Sequence, residues 1–391
     1  MRRPTLAGAA AYAALLAATA FLGLWPVWNH NAYTQNLMLL AFLIGVMAVG
    51  WNIISGFAGY VSLGQSAFVG IGAYTVGILA RHLGWSPWYL VPLGGVSAAL
   101  IAVVLGVVVM HTRGHSFVIL TIAFLFIMQL LATNWTSLTG GSNGLSLPLA
   151  YYPRKWINTP FYWAMLILLV LSVLMAWLIR RTKFGMGLIA IREDEDKAGA
   201  VGISTPVYKL LAFAASAVFV GMAGGVYGYY LSYIDPRGMF DILFSVQCVL
   251  AALLGGRATI LGPVLGAGII EFVNEESNVH VGGQMHMVVF GALMAATVLF
   301  LPRGIVPSLE HLVAWWRARR AEVAPAVEPD LAGVGPHEPV DQVEGGRLPR
   351  PVGSDQRSDR PLCDREREIV DGPYAAEALL EPLHLEQRAG G

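Results

Sequence analysis

Charge is scarce in this sequence. Asp, Glu, Lys and Arg make up 13% of its 391 residues, against about 25% in a soluble globular domain. The shortage is uneven. Of 25 acidic and 25 basic residues, 15 acids and 7 bases fall in 321–391, which leaves 10 acids and 18 bases for positions 1–320. Cysteine is nearly absent as well. Cys248 lies in an apolar stretch and Cys363 in a polar one, so neither a disulfide framework nor a cysteine metal site is expected. No G-x-x-x-x-G-K-[ST] occurs, and the glycine-rich run Thr139–Gly144 lacks the lysine a phosphate cradle needs. HExxH, paired CxxC and G-x-S-x-G are missing too. The chain is therefore not read as an enzyme. No cofactor or metal is expected, and nothing points to nucleic acid.

What is present is apolar. Hydrophobic residues reach 56% and the mean hydropathy is +0.60. A helix crosses a bilayer with about 20 apolar residues, and only helices or closed barrels satisfy the backbone there. The apolar runs are too long for barrel strands. They predict spans near 7–27, 36–55, 61–80, 88–110, 116–133, 160–180, 209–231, 240–255, 259–274 and 284–301. The fold class is thus all-α, a polytopic membrane helix bundle of about ten helices in two loosely repeated halves. The eighth and ninth spans are short and glycine-broken. Arg2 and Arg3 precede a first run with no small-residue cleavage site before Asn31, so it is read as an uncleaved span. Residues 1–320 form the membrane domain, and 321–391, rich in Pro, Glu and Arg, read as a disordered cytoplasmic tail.

Alternating ten spans from a cytoplasmic N-terminus puts 14 Lys and Arg residues of 1–320 inside and 4 outside. The outer four are Arg81, Arg154, Lys155 and Arg237, and Lys209 counts among the inner ones. The positive-inside rule favours this topology, with both termini in the cytoplasm. Residues 134–159 and 232–239 then face outward, and the charged loop 181–208 faces inward.

That inner loop is the most informative segment. Four acids, Glu193 to Asp196, are read as opening a short helix, where the dipole favours negative charge. Gly202 can end it in a left-handed conformation, and Thr205-Pro206 supplies an N-cap and first-turn proline for the next span. Such a helix, near 190–202, could be gripped by a cytoplasmic partner that moves the spans on either side. A solvated charged loop is the other reading of the same residues.

Ionisable residues inside spans are almost lacking. Glu271 lies near an outer end beside Glu275 and Glu276, and His286 begins the last run. An ion-coupled carrier usually needs such a group near the midplane, so the driving energy is expected to come from elsewhere. Uncharged polar residues within spans include Asn52, Ser62, Gln65, Ser66, Thr121, Gln129 and Gln247. Ser62, Gln65, Ser66, Thr121 and Gln247 are candidates to line a translocation pathway for a zwitterionic solute. Interhelical hydrogen bonding is the competing role. Small residues recur four apart: Ser62, Ser66 and Gly70; Ala73 and Gly77; Gly221 and Gly225; Gly224 and Gly228; Gly262 and Gly266. This spacing serves close helix packing, and Gly64, Gly70, Gly224, Gly228, Gly262 and Gly266 are assigned to it. Gly64 to Gly70 and Gly256 to Gly262 share a spacing of six beside short or broken spans, a faint internal echo of the kind that marks paired repeats.

Several ordered motifs carry a resemblance. Gly185…Ala190-Ile-Arg-Glu-Asp-Glu…Ala198…Gly202-Ile, followed by Tyr208-Lys-Leu-Leu-Ala-Phe, resembles the cytoplasmic coupling loop of branched-chain amino acid ABC transporter permeases of the LivM type. Ser62-Leu-Gly-Gln-Ser-Ala-Phe-Val-Gly-Ile-Gly-Ala-Tyr74 resembles the third-span motif of that family. Thr139-Gly-Gly-Ser-Asn-Gly-Leu145 resembles its outer-loop motif. Leu254-Gly-Gly-Arg-Ala-Thr-Ile-Leu-Gly-Pro263 and Leu301-Pro-Arg-Gly304 resemble its C-terminal ones. The family usually has His at the position of Gln65 and Gly at that of Ala258.

The resemblance implies that Gly185, Arg192, Glu193, Asp194, Ala198 and Gly202 belong to a loop that docks on a separate ATPase subunit. It implies further partners: two ABC ATPase subunits, a second permease subunit in a hetero-dimer, an extracytoplasmic substrate-binding protein, and the lipid of a bacterial plasma (inner) membrane. The expected function is passage of branched-chain or related amino acids. A permease for urea or other small amides, an ion-coupled secondary carrier and a non-transport scaffold remain as alternatives.

Overall fold

In the computed structural model, residues 6–280 are described apart from 110, 111, 113, 149–151, 154 and 155, together with 288, 291–292, 296 and 304–309. The tail and most of the tenth expected span lie outside the described residues.

Long apolar helices dominate. They are α1 (Leu6–Trp28), α2 (Ala32–Trp51), α3 (Gln65–Leu83), α4 (Pro87–Val109) and α5 (His115–Asn134). A short α6 (Thr136–Thr139) follows, then α7 (Thr159–Arg181), α8 (Lys183–Glu193), α9 (Glu195–Ala200) and α10 (Thr205–Leu231). A four-residue α11 (Pro236–Met239) precedes α12 (Ile242–Gly255) and α13 (Gly262–His280). Six described stretches are long and apolar enough to cross a membrane: Ala32–Phe57, Pro87–Val108, His115–Asn134, Thr159–Arg181, Thr205–Leu231 and Pro236–Gly255.

The centre is α2. Asn31 caps it by accepting from the Tyr33 N–H at 3.0 Å. From Phe42 onward α2 is buried, and it runs on into a π-helical turn, Asn52–Phe57. Helices α7, α10, α12 and α13 surround it, and α10 packs broadly on α3 and α4. The outward faces of α4 and α5 stay apolar and exposed, with Leu100, Val104, Ile119, Ile127 and Leu130 among them. In lipid this is the favoured arrangement, because the solvent of those faces is itself apolar.

The third span begins at Gln65 rather than 61, so Ser62 and Gly64 belong to a linker and not to the helix. A helical row from Ser62 through Ser66 to Gly70 therefore does not exist. The linker between the eighth and ninth expected spans is held from inside the bundle. Asn52 Oδ1 accepts from the Ala258 N–H at 2.7 Å, and its Nδ2 donates to the Thr259 carbonyl at 2.7 Å. At the other end the expected outer loops meet as a two-residue antiparallel ladder. Leu145–Ser146 (β1) pairs with Tyr233–Ile234 (β2).

Candidate functional site

The segment between α7 and α10 is built from two helices rather than one. Thr182 caps α8, accepting from the Gly185 N–H at 3.4 Å. The inner face of α8 is apolar: Leu188 and Ile191 are buried, and Phe184 stacks on Tyr208. Asp194 then adopts an extended conformation and breaks the helix. Its Oδ1 accepts from the N–H groups of Asp196 at 3.1 Å and Lys197 at 3.0 Å, which starts α9. The Lys197 N–H foremost, then the Lys197 side chain, hold the Asp194 carboxyl below the usual carboxylate range.

The expected single helix with four acids at its start is therefore corrected. Glu193 closes α8, Asp194 is the cap, and Glu195 and Asp196 form the first turn of α9. At the far end Gly202 takes φ of +90°, its N–H bonds Gly199 O, and the Ile203 N–H bonds Ala198 O. That double closure is a Schellman stop, for which glycine is the favoured residue. The next cap is Ser204, one residue before the expected Thr205, which is already helical with Pro206.

The underside of this segment grips the bundle. Arg192 Nη1 donates to the Gly56 carbonyl at 3.1 Å, and its Nη2 pairs with Glu193 at 2.7 Å. Gly59, with φ of +82°, leaves room for the Arg192 chain where a methyl would meet its Cγ. Glu195 accepts from Tyr60 Oη through Oε2 and from Lys209 Nζ through Oε1. Lys209 is only 5% exposed, and its Nζ lies 4.3 Å from the centre of the Tyr60 ring. Lys209, the first residue of the expected seventh span, is thus a buried member of α10.

Tyr60, Glu195 and Lys209 are the functional candidates that sequence reasoning misses. They come from three elements, and no helical spacing links them. Above the cluster a cleft of about 440 Å³ opens, lined among others by Gly59, Tyr60, Gly114, His115, Arg192 and Asp194.

The pathway candidates lie deeper. Ser62, Gln65, Ser66 and Thr121 are fully buried, whereas Gln247 is half-buried. Ser245 Oγ accepts from the Ser66 N–H and donates to Ser66 Oγ, both at 2.9 Å. Thr121 Oγ1 accepts from the Leu63 N–H at 3.1 Å and donates to the Val118 carbonyl at 2.9 Å. Ser62 Oγ accepts from the Gly64 N–H at 3.3 Å. Gln65 begins α3 with neither amide atom hydrogen-bonded among the described residues. No hydrogen bond among the described residues joins these five candidates to one another.

The packing candidates sit at close approaches. A methyl at Gly64 would press on the Thr121 carbonyl, at Gly70 on the Phe240 ring, and at Gly224 on the Val69 backbone. Gly228 faces Ala73, Gly262 the Gly255 and Gly256 carbonyls, and Gly266 the Ala251 carbonyl. Gly72, facing the Gly221 carbonyl, and Gly94, between Gly72 and Gly221, were not singled out in the sequence.

The family described as "Branched-chain amino acid transport system / permease component" matches residues 33–298. The high-affinity branched-chain amino acid transport system permease protein LivM of Escherichia coli (strain K12) is 28% identical over 310 residues, covering 72% of each chain. The corresponding LivH protein of Salmonella typhimurium is 25% identical over 301 residues, covering 71% of this chain and 96% of its own. The autoinducer 2 import system permease protein LsrC of Photorhabdus laumondii is 30% identical over 135 residues, which is 33% of this chain and 38% of its own. No solved structure matches.

Proposed function

The chain belongs to the family of branched-chain amino acid transport system permease components, and from that premise we propose that it passes branched-chain or related amino acids across the bacterial inner membrane as one permease subunit of an ABC importer. It is a multi-pass membrane protein and a transport subunit rather than an enzyme. ATP hydrolysis belongs to partner subunits, and a second permease and a substrate-binding protein complete the system. The expected set is two ATPases and a hetero-dimer of permeases, with both termini cytoplasmic.

The observation that carries the mechanism is the two-sided build of α8–α9. Its outer side shows exposed acids, with Glu193 70% exposed at the side chain. Its inner side is tied to the π turn through Arg192 and to α10 through Glu195. An element that is wet on one face and anchored on the other can be pushed by a docked ATPase without coming loose. Movement of α8–α9 then tilts α7 and α10, and the open side of the bundle alternates. The solute path runs near Ser62, Gln65, Ser66, Thr121 and Gln247. Gln65 supplies an amide with hydrogen-bonding capacity to spare, the type of group that recognises a zwitterion.

The test is co-purification with the ATPase subunits followed by uptake into proteoliposomes. Replacing the exposed Glu193 and Asp196 by Lys reverses the charge of the outer face while the Asp194 cap, Glu195 and Lys209 stay in place. Loss of the ATPase from the complex, or ATP hydrolysis without uptake, is expected. Unchanged assembly and uptake would sink the docking role.

A further inference from the structure

Docking explains the exposed acids, but it leaves the buried ones without a task. Glu195, in the first turn of α9, has its side chain 14% exposed, and that of Lys209 is 6% exposed. One carboxylate binds a separate partner on each oxygen: the Lys209 ammonium on Oε1 and the Tyr60 hydroxyl on Oε2. The Lys209 ammonium also lies against the Tyr60 ring. Three elements are thereby locked at one point: α9, α10 and the linker that joins the π turn to α3.

The π turn and the linker after it are fixed at further points. Arg192 holds the Gly56 carbonyl, Ser55 Oγ donates to the Tyr60 carbonyl at 2.8 Å, and Asn52 reaches on to Ala258 and Thr259. A buried ion pair does not slide, because losing either partner strands a charge away from water. Surface pairs such as Lys197–Asp194, with the lysine side chain 86% exposed, have no such stiffness.

We propose that the Tyr60–Glu195–Lys209 cluster is the positioning element that transmits movement of the α8–α9 segment to α10 and to the α2–α3 linker. The proposal rests on the docking reading above and concerns residues that a partner would not touch. It predicts a separation of functions. The exposed acids control whether the ATPase binds, and the buried cluster controls whether hydrolysis is converted into uptake.

The experiment reconstitutes the full-length chain with its partner permease, the ATPase subunits and the binding protein. It reads three quantities: assembly, ATP hydrolysis, and amino acid taken up per ATP. E195Q keeps the shape and removes the charge, and Y60F removes one hydroxyl from an otherwise intact ion pair. Both are expected to assemble and hydrolyse ATP, with uptake per ATP falling about tenfold, a typical size for coupling between sites. The charge swap E195K/K209E should recover part of that ratio.

An unchanged ratio in E195Q and Y60F overturns the inference. Loss of assembly in Y60F overturns it too, since the cluster would then shape the docking surface. Intact assembly when Glu193 and Asp196 are both Lys overturns the docking reading and the inference with it. Lost assembly in that chain beside a normal ratio in the cluster variants overturns the inference alone.

Discussion

Ala258 carries a backbone conformation that its side chain disfavours. Its φ is +64°, one of two positive values outside glycine among the described residues. The cause is visible: its N–H must reach Asn52 Oδ1 while the following carbonyl receives Asn52 Nδ2. The clamp between the π turn and the linker at Ala258 is thus made at the expense of local strain. A left-handed conformation costs a non-glycine residue about 1–2 kcal/mol, and the added freedom of an unfolded glycine returns about 0.4–1 kcal/mol of that. Ala258→Gly is therefore expected to stabilise the chain by up to about 1.6 kcal/mol. The measurement is the thermal midpoint of the purified protein in detergent, and a fall in that midpoint would show that the methyl contributes packing that the backbone argument omits. Sequence alone flags this position only through the glycine usual in the resembling family. The reason for that glycine, a turn clamped by Asn52 from 206 residues away, is a property of the folded chain.

Among the elements, the long spans were readable because the bilayer sets their length, whatever they pack on. The expected 160–180 is Thr159–Arg181, and the expected 88–110 is Pro87–Val109. The short elements were less so. The chain between α7 and α10 carries four consecutive acids, and spacing cannot say which of them caps, which faces water and which is buried. Asp194 breaks the helix because its carboxylate competes for backbone N–H groups, and Glu195 turns inward because Tyr60 and Lys209 await it.

Helix contacts divide in the same way. Gly224 and Gly228 stand out by their spacing in one helix. Gly72 does not, because its need arises where α3 meets α10 beside α4. At that junction a methyl on Gly72 would fall on the Gly221 carbonyl, which is backbone and cannot swing aside. Alanine favours a helix interior over glycine by about 1 kcal/mol, yet overpacking costs about 1–3 kcal/mol. Gly72→Ala should therefore lower the thermal midpoint, whereas Gly268→Ala, with nothing within 4 Å of its added carbon, should leave it unchanged or raise it. If both variants behave alike, close backbone approach is not what fixes the α3–α10 contact.

For the whole molecule, the linkers sort to two ends. Tyr60, His115 and Arg192 share the walls of one cleft, and Ala258 is tied to the same π turn. At the other end β1 pairs with β2, and Tyr233 Oη donates to the Asn143 carbonyl at 2.9 Å. The 27 residues of α10 separate its start beside α9 from its end beside β2, about 40 Å of helix. These are the sides between which the sequence reading divides Lys and Arg, 14 against 4 over residues 1–320. The end with α8–α9 is therefore expected in the cytoplasm.

Single cysteines test this in a chain whose Cys248 and Cys363 are replaced by Ser. Ala200→Cys, on exposed α9, should react with an impermeant maleimide only in inverted vesicles. Ser142→Cys, exposed between α6 and β1, should react only in intact spheroplasts. The opposite pattern would place the acidic segment where no ATPase can reach it, and both the docking of α8–α9 and the transmission through Glu195 would be lost together.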